Sequence, residues 1–158
     1  MLESPIADDE VLYRRIPDNK GLLKRLPDGA FKISSQAFYE PSHRPSVDRA
    51  KLCENSPKKT SNRYPGPCGI ASIVAHGVRA INLVHPERDP QPPQAFIVDV
   101  EPKPIIDDPG EPDNPAHAEI YTEPMCSRKV FHKLCEKLAL LANSRPWELE
   151  PPSLKNMP

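Results

Sequence analysis

AFIVDVEPKPIIDDPGEPDNPAHAEIY, residues 95–121, is the stretch on which the fold class turns. Its opening AFIVDV is apolar, rich in β-branched side chains and flanked by prolines, and so predicts a strand. Its closing AHAEIY alternates apolar and polar residues at a period of two, as a half-buried strand does. On that strand His117 and Glu119 share one face, and Ala116, Ala118 and Ile120 take the other. The intervening segment 101–115 is acidic and broken by prolines. It reads as a loop of the length at which structureless connections usually carry function.

Working toward the N-terminus, HPERDPQPPQ (85–94) predicts a rigid loop. GIASIVAHGVRAINLV (69–84) divides into a strand, GIASIV, and a helical turn, HGVRAIN; a single continuous helix is the alternative, weakened by Gly77. ENSPKKTSNRYPGPC (54–68) has no periodicity and predicts a loop. SVDRAKLC (46–53) predicts a short helix capped by Ser46, with Val47 and Ala50 inward. FKISSQAF (31–38) predicts a half-buried strand, GLLKRL (21–26) one or two helical turns, and VLYRRI (11–16) a short strand ended by Pro17.

Toward the C-terminus, MCSRKVFHKLCEKLALLAN (125–143) carries Val130, Phe131, Leu134, Leu138 and Leu141 as one apolar stripe. Arg128, Lys129, Lys133 and Lys137 lie mostly opposite, the pattern of an amphipathic helix. The expected class is therefore α+β: a small sheet of short strands, two or three helices and long Pro-rich loops. We expect a flexible N-terminus over 1–10, one domain over 11–146 and an extended tail over 147–158 pinned by Trp147.

Composition narrows the function classes. Proline accounts for 22 of 158 residues against 6 glycines, which fits a folded domain with stiff connections, since each ring fixes φ. A net charge of −1 provides no overall field toward nucleic acid or membrane. Basic residues are not interleaved with aromatics, so neither partner is expected. The two halves differ in sign: residues 1–79 hold 13 Lys and Arg against 9 Asp and Glu, and residues 80–158 hold 8 against 13. The acidic start, MLESPIADDE, lacks the apolar run of a secretory signal, so a cytoplasmic protein with Cys53, Cys68, Cys126 and Cys135 reduced is expected. None of the four forms a CxxC pair. His132 and Cys135 would need Cys53 or Cys68 beside them to bind zinc, and no metal is expected. Phosphate-loop, dinucleotide and nucleophile-elbow signatures are absent, so no cofactor is expected.

Two constellations could carry chemistry. His117 with Glu119 fits a general base oriented by a carboxylate, or two metal ligands, against the plainer reading of a strand face in solvent or paired to a neighbour. His43, Arg44, Ser46 and Arg49, in SHRPSVDR, fit an anion cradle at a helix start, against a reading in which Ser46 only caps and the arginines pair with acids. Arg14 and Arg15 could add a further cation.

Taken together, VLYRRIP (11–17), AF (37–38), SVDRAKL (46–52), GIASIVAHGVRAI (69–81) and NPAHAEI (114–120) resemble segments of a small family of bacterial proteins of unassigned function. The resemblance implies that these pieces belong together and implies no activity. The order Arg14, Ser34 or Ser35, Glu119 is similar to that of the ADP-ribosyltransferase fold, although the Glu-x-Glu form is lacking. The leading expectation is an interaction module that binds a protein partner through rigid loops, with the acidic 99–113 segment and the Arg44/Arg49 region as opposed charge patches. The alternative is an enzyme or binding domain for an anionic or nucleotide-like ligand, with His117 as base, Glu119 as its orienter or an electrostatic stabiliser, and Arg44 and Arg49 as anion clamps.

Overall fold

The strands expected at 11–16, 69–74, 95–100 and 116–121 all form. The computed structural model describes residues 4–28, 30–85 and 93–155, with eight strands among them. These are β1 (Val11–Pro17), β2 (Leu23–Arg25), β3 (Phe31–Ile33), β4 (Ser46–Arg49), β5 (Cys68–Val74), β6 (Leu83–His85), β7 (Gln94–Pro102) and β8 (His117–Glu123). Six of them make one antiparallel sheet in the order β5-β1-β4-β8-β7-β6. Each half of the chain thus builds half of the sheet, β5-β1-β4 from the first half and β8-β7-β6 from the second. The two meet along the β4–β8 seam. The helices are α1 (Pro57–Ser61), α2 (Ala75–Arg79), α3 (Arg128–Asn143) and α4 (Pro152–Lys155). The class is α+β, and among the described residues no helix is long and apolar enough to cross a membrane.

Two expected helices are strands instead. GLLKRL bends at its start because the Asn19 side chain accepts from the amides of Gly21 and Leu22, and β2 then pairs with β3 from Leu23↔Ile33 to Arg25↔Phe31. SVDRAKLC opens as β4, followed by a 3-10 turn over Ala50–Cys53. The β1 and β8 strands offer hydrogen-bonded ladders on both of its sides. The Ser46 hydroxyl is accordingly free for tertiary contacts. FKISSQAF is strand only to Ile33 and turns 3-10 at Ser35–Phe38. The 54–68 loop contains the short α1, and β6 forms where no strand was expected. Of the HPERDPQPPQ loop, residues 86–92 lie outside the described residues.

Alternation along the strands separates two faces. Leu12, Ile16, Val47, Ala71, Ile73, Val98, Val100, Ala118 and Ile120 face the main core, which α3 closes with Val130, Phe131, Leu134 and Leu138. Phe131, Leu134 and Leu138 are wholly buried, each contributing about 2 kcal/mol of transfer free energy. Ser127 caps α3 by accepting from the Val130 amide. The opposite face carries a smaller cluster of Tyr13, Ala50, Cys53, Cys68, Ile70 and Ala116 and is polar along the β4–β8 seam.

The ends are held to this body. Residues 4–10, expected to be flexible, are anchored by buried Ile6 and by Glu10, which pairs with Arg49. After Trp147, Leu149 bridges to Ile70 on the outer edge of β5 before the chain turns into α4. Gly69 makes room for this strap: a Cβ there would sit 2.7 Å from the Trp147 ring and 2.8 Å from the Pro151 ring.

Candidate functional site

Register fixes which polar side chains meet at the seam. Asp48 pairs with Tyr13 on one side and His117 on the other, and Ser46 pairs with Glu119, which in turn pairs with Glu101. Paired residues share a face, so Tyr13, Ser46, Asp48, His117, Glu119 and Glu101 line one surface opposite the main core. Val47 and Ala118, buried between them, lock the register against a one-residue slip.

The centre of this surface is a Ser–His contact. Ser46 Oγ lies 3.1 Å from His117 Nε2, and His117 Nδ1 lies 2.7 Å from the Lys103 carbonyl oxygen. Ser46 is fixed through its backbone as well. Its amide donates to Glu40 Oε1 at 2.9 Å, and its carbonyl accepts from Arg14 Nη1 at 2.8 Å. The ladder between β1 and β4 stops at Tyr13↔Asp48, and beyond that point Arg14 supplies the link between the strands. Its guanidinium also donates to the Ala37 carbonyl and to Glu40.

Beside this contact is a saturated carboxylate. Asp48, almost fully buried, accepts from Asn114 Nδ2 at 2.8 Å, Thr60 Oγ1 at 2.7 Å and Arg63 Nε at 2.9 Å. This network, with Arg63 also donating to Cys53, holds α1 and the following loop over the sheet. The pairing with Asp48 keeps the Arg63 guanidinium above its ordinary pKa, although burial acts in the other direction. Tyr64 then reaches across to the 105–114 loop, its hydroxyl donating to Glu111 at 2.6 Å. That bond, aided by burial, pushes the phenol up to about 12. A cavity of about 270 Å³ remains, lined by Arg14, Arg15, Glu40, Ser46, Asp48, Arg63, Tyr64 and His117 among others. Arg15 spends Nη2 on the carbonyls of Pro65 and Gly66, while its buried Nε has no partner.

Of the six residues singled out from sequence, Ser46 and His117 touch, and Glu119 and Arg44 stand next to them. Arg44 Nε donates to Glu119 at 2.7 Å, its Nη2 bonds Glu101, and the guanidinium stacks over Tyr121. Burial pulls the Arg44 pKa down, and the two carboxylates more than offset it. Glu119 therefore orients Arg44, whereas the partner of His117 is a backbone carbonyl. The other two leave the site. His43, at φ +61°, stacks on Phe131 with ring centroids 4.5 Å apart, where a turn returns the chain to the α3 side. Arg49 points into the main core, fully buried against Glu10. The supposed basic patch is thus one buried ion pair plus an arginine neutralised by the acids it was to oppose.

Sequence reasoning missed Glu40, Asp48, Arg63, Tyr64 and Asn114. Reading SVDR as a strand would have placed Asp48 beside Ser46, because the two lie at strand spacing. Arg14, Ser34 and Glu119 share no partner: Ser34 donates to Gly21 and Glu119 holds Arg44. The cysteines also lie apart. Cys53 and Cys68 belong to the smaller cluster and Cys126 and Cys135 to the main core, where burial pushes the Cys135 thiol up to about 12. Among the described residues no group of three His, Cys, Asp or Glu is arranged to hold a metal ion. No protein-family model, curated protein or solved structure matches this chain.

Proposed function

We propose that the β4–β8 seam is a binding pocket for a small anionic ligand, and that the chain is a ligand-binding or catalytic domain of the cytoplasm. The observation that supports this is the cavity wall. Three guanidinium groups, Arg14, Arg15 and Arg63, line it against two carboxylates, Glu40 and Asp48. Each carboxylate is already paired with an arginine, which leaves a net positive site suited to one negative charge. The volume suits a metabolite rather than a drug-sized molecule. Four free, buried cysteines fit a reducing compartment.

The test is thermal denaturation with inorganic phosphate, acetate and succinate. A bound anion at about a hundred times its Kd adds about 2.7 kcal/mol, a rise in Tm of several degrees. We expect a saturable rise with at least one anion and its loss in Arg15→Gln and His117→Gln. A flat response to all three anions would sink this reading. A second reading, docking of a protein partner, draws support from Val84, Ala95 and Ile97, exposed together on the open face at the β6–β7 edge, Ile97 at 64%. That reading requires a stoichiometric partner released by Ile97→Asp.

A further inference from the structure

Resting on the pocket reading above, we propose that Ser46 is a nucleophile and His117 its general base, and that the pocket acts on a small ester bearing one negative charge. The tautomer carries the argument. The Lys103 carbonyl can only accept, so the Nδ1 that faces it at 2.7 Å holds the imidazole proton. The lone pair of the neutral ring is then on Nε2, which faces Ser46 Oγ at 3.1 Å, within reach of a general base. The accepting carbonyl is itself held in place, since the Lys103 amide donates to the His117 carbonyl at 2.9 Å. A backbone carbonyl here does what a third side chain does in a nucleophile–base–orienter triad.

The position of the hydroxyl is also fixed. Both backbone groups of Ser46 are bonded, to Glu40 and to Arg14, which sets Oγ at the cavity wall. Glu40 Oε2 lies 3.4 Å from Oγ, a weaker acceptor than the imidazole at 3.1 Å, and Arg14 neutralises the carboxylate. A Ser–His bond serving structure alone needs no cavity beside it. This one borders a cavity ringed by guanidinium groups, whose field favours the negative charge that develops on a carbonyl oxygen under attack.

The step balances without any added reagent but water. Oγ forms a bond to the ester carbonyl carbon while its proton passes to Nε2. Collapse of the tetrahedral species breaks the bond to the alkoxide, which leaves with that proton as the alcohol. Water, deprotonated by Nε2, then cleaves the acyl-serine and regenerates both residues.

The test uses an alkyl fluorophosphonate, in which Oγ attacks phosphorus, fluoride departs and the proton goes to Nε2. Intact-mass and peptide mapping should find one adduct, on Ser46, absent in Ser46→Ala. Its rate of formation should fall about 100-fold or more in a His117→Gln variant of unchanged melting temperature. As a second probe, Ser46→Cys should be alkylated by iodoacetamide at pH 7 far faster than the four buried native thiols. Failure of both probes in a protein that still shows the anion-dependent Tm rise would overturn the nucleophile and leave the pocket standing. Failure of both probes and of the Tm rise would remove both. Labelling of Ser46 at a rate unaffected by His117→Gln would overturn the base.

Discussion

At the scale of single residues, Arg49 shows how burial reassigns a side chain. In sequence it is one more cation beside Ser46; in the fold it is the largest wholly buried side chain. Its Nε and Nη2 donate to the two oxygens of Glu10 at 2.9 and 2.8 Å, and its Nη1 donates to the Ser4 carbonyl. Breaking such a pair leaves an uncompensated buried charge, so Glu10→Gln should cost about 3–5 kcal/mol, read by urea unfolding. The pair also imposes a pH dependence. Burial alone would raise the Glu10 pKa, but Arg49, the Ala7 amide and Lys51 together hold it below its ordinary value of 4.5. A depressed carboxyl stabilises the fold above the unfolded pKa, and that stability is lost as pH falls through the folded one. Tm should therefore drop on acidification below about pH 4.5, and Glu10→Gln should remove that part of the slope.

At the scale of elements, legibility followed the range of the contacts. GIASIV left a continuous helix open, but AFIVDV and AHAEIY declare themselves because one is largely apolar and the other alternates, and α3 because its stripe repeats over four turns. The β2–β3 hairpin does not, because what secures it lies 110 residues away in sequence: Asn143, the last residue of α3, whose carboxamide accepts from the Ile33 amide at 2.8 Å and donates to the Ile33 carbonyl at 3.0 Å. One side chain thus serves as the strand partner that the edge of β3 lacks. Asn143→Ala should cost about 1–3 kcal/mol, two backbone groups being left unpaired. Amide exchange at Leu23 and Ile33 should quicken while exchange in the middle of α3 does not change. The candidate site was half legible for the same reason. His117 and Glu119 share a strand and could be read together, whereas Arg63 and Asn114 reach Asp48 across 15 and 66 residues that no local pattern spans.

At the scale of the whole molecule, the opposite charges of the two halves acquire a place. Arg44 and Arg79, from the basic half, pair with Glu101, Glu119 and Asp99 of the acidic half. The helix α3, from the second half, closes the core over strands from both. Because the strand order never interleaves the halves, the chain can be severed between Ile81 and Asn82 without dividing either half-sheet. Fragments 1–81 and 82–158 should then behave as complementary pieces of opposite charge that find one another when co-expressed, which co-purification with a tag on one fragment would detect. Neither piece holds both Ser46 and His117, so reactivity toward the phosphonate should appear only on reassembly, and the seam would become a reporter of association between whatever is fused to its two sides.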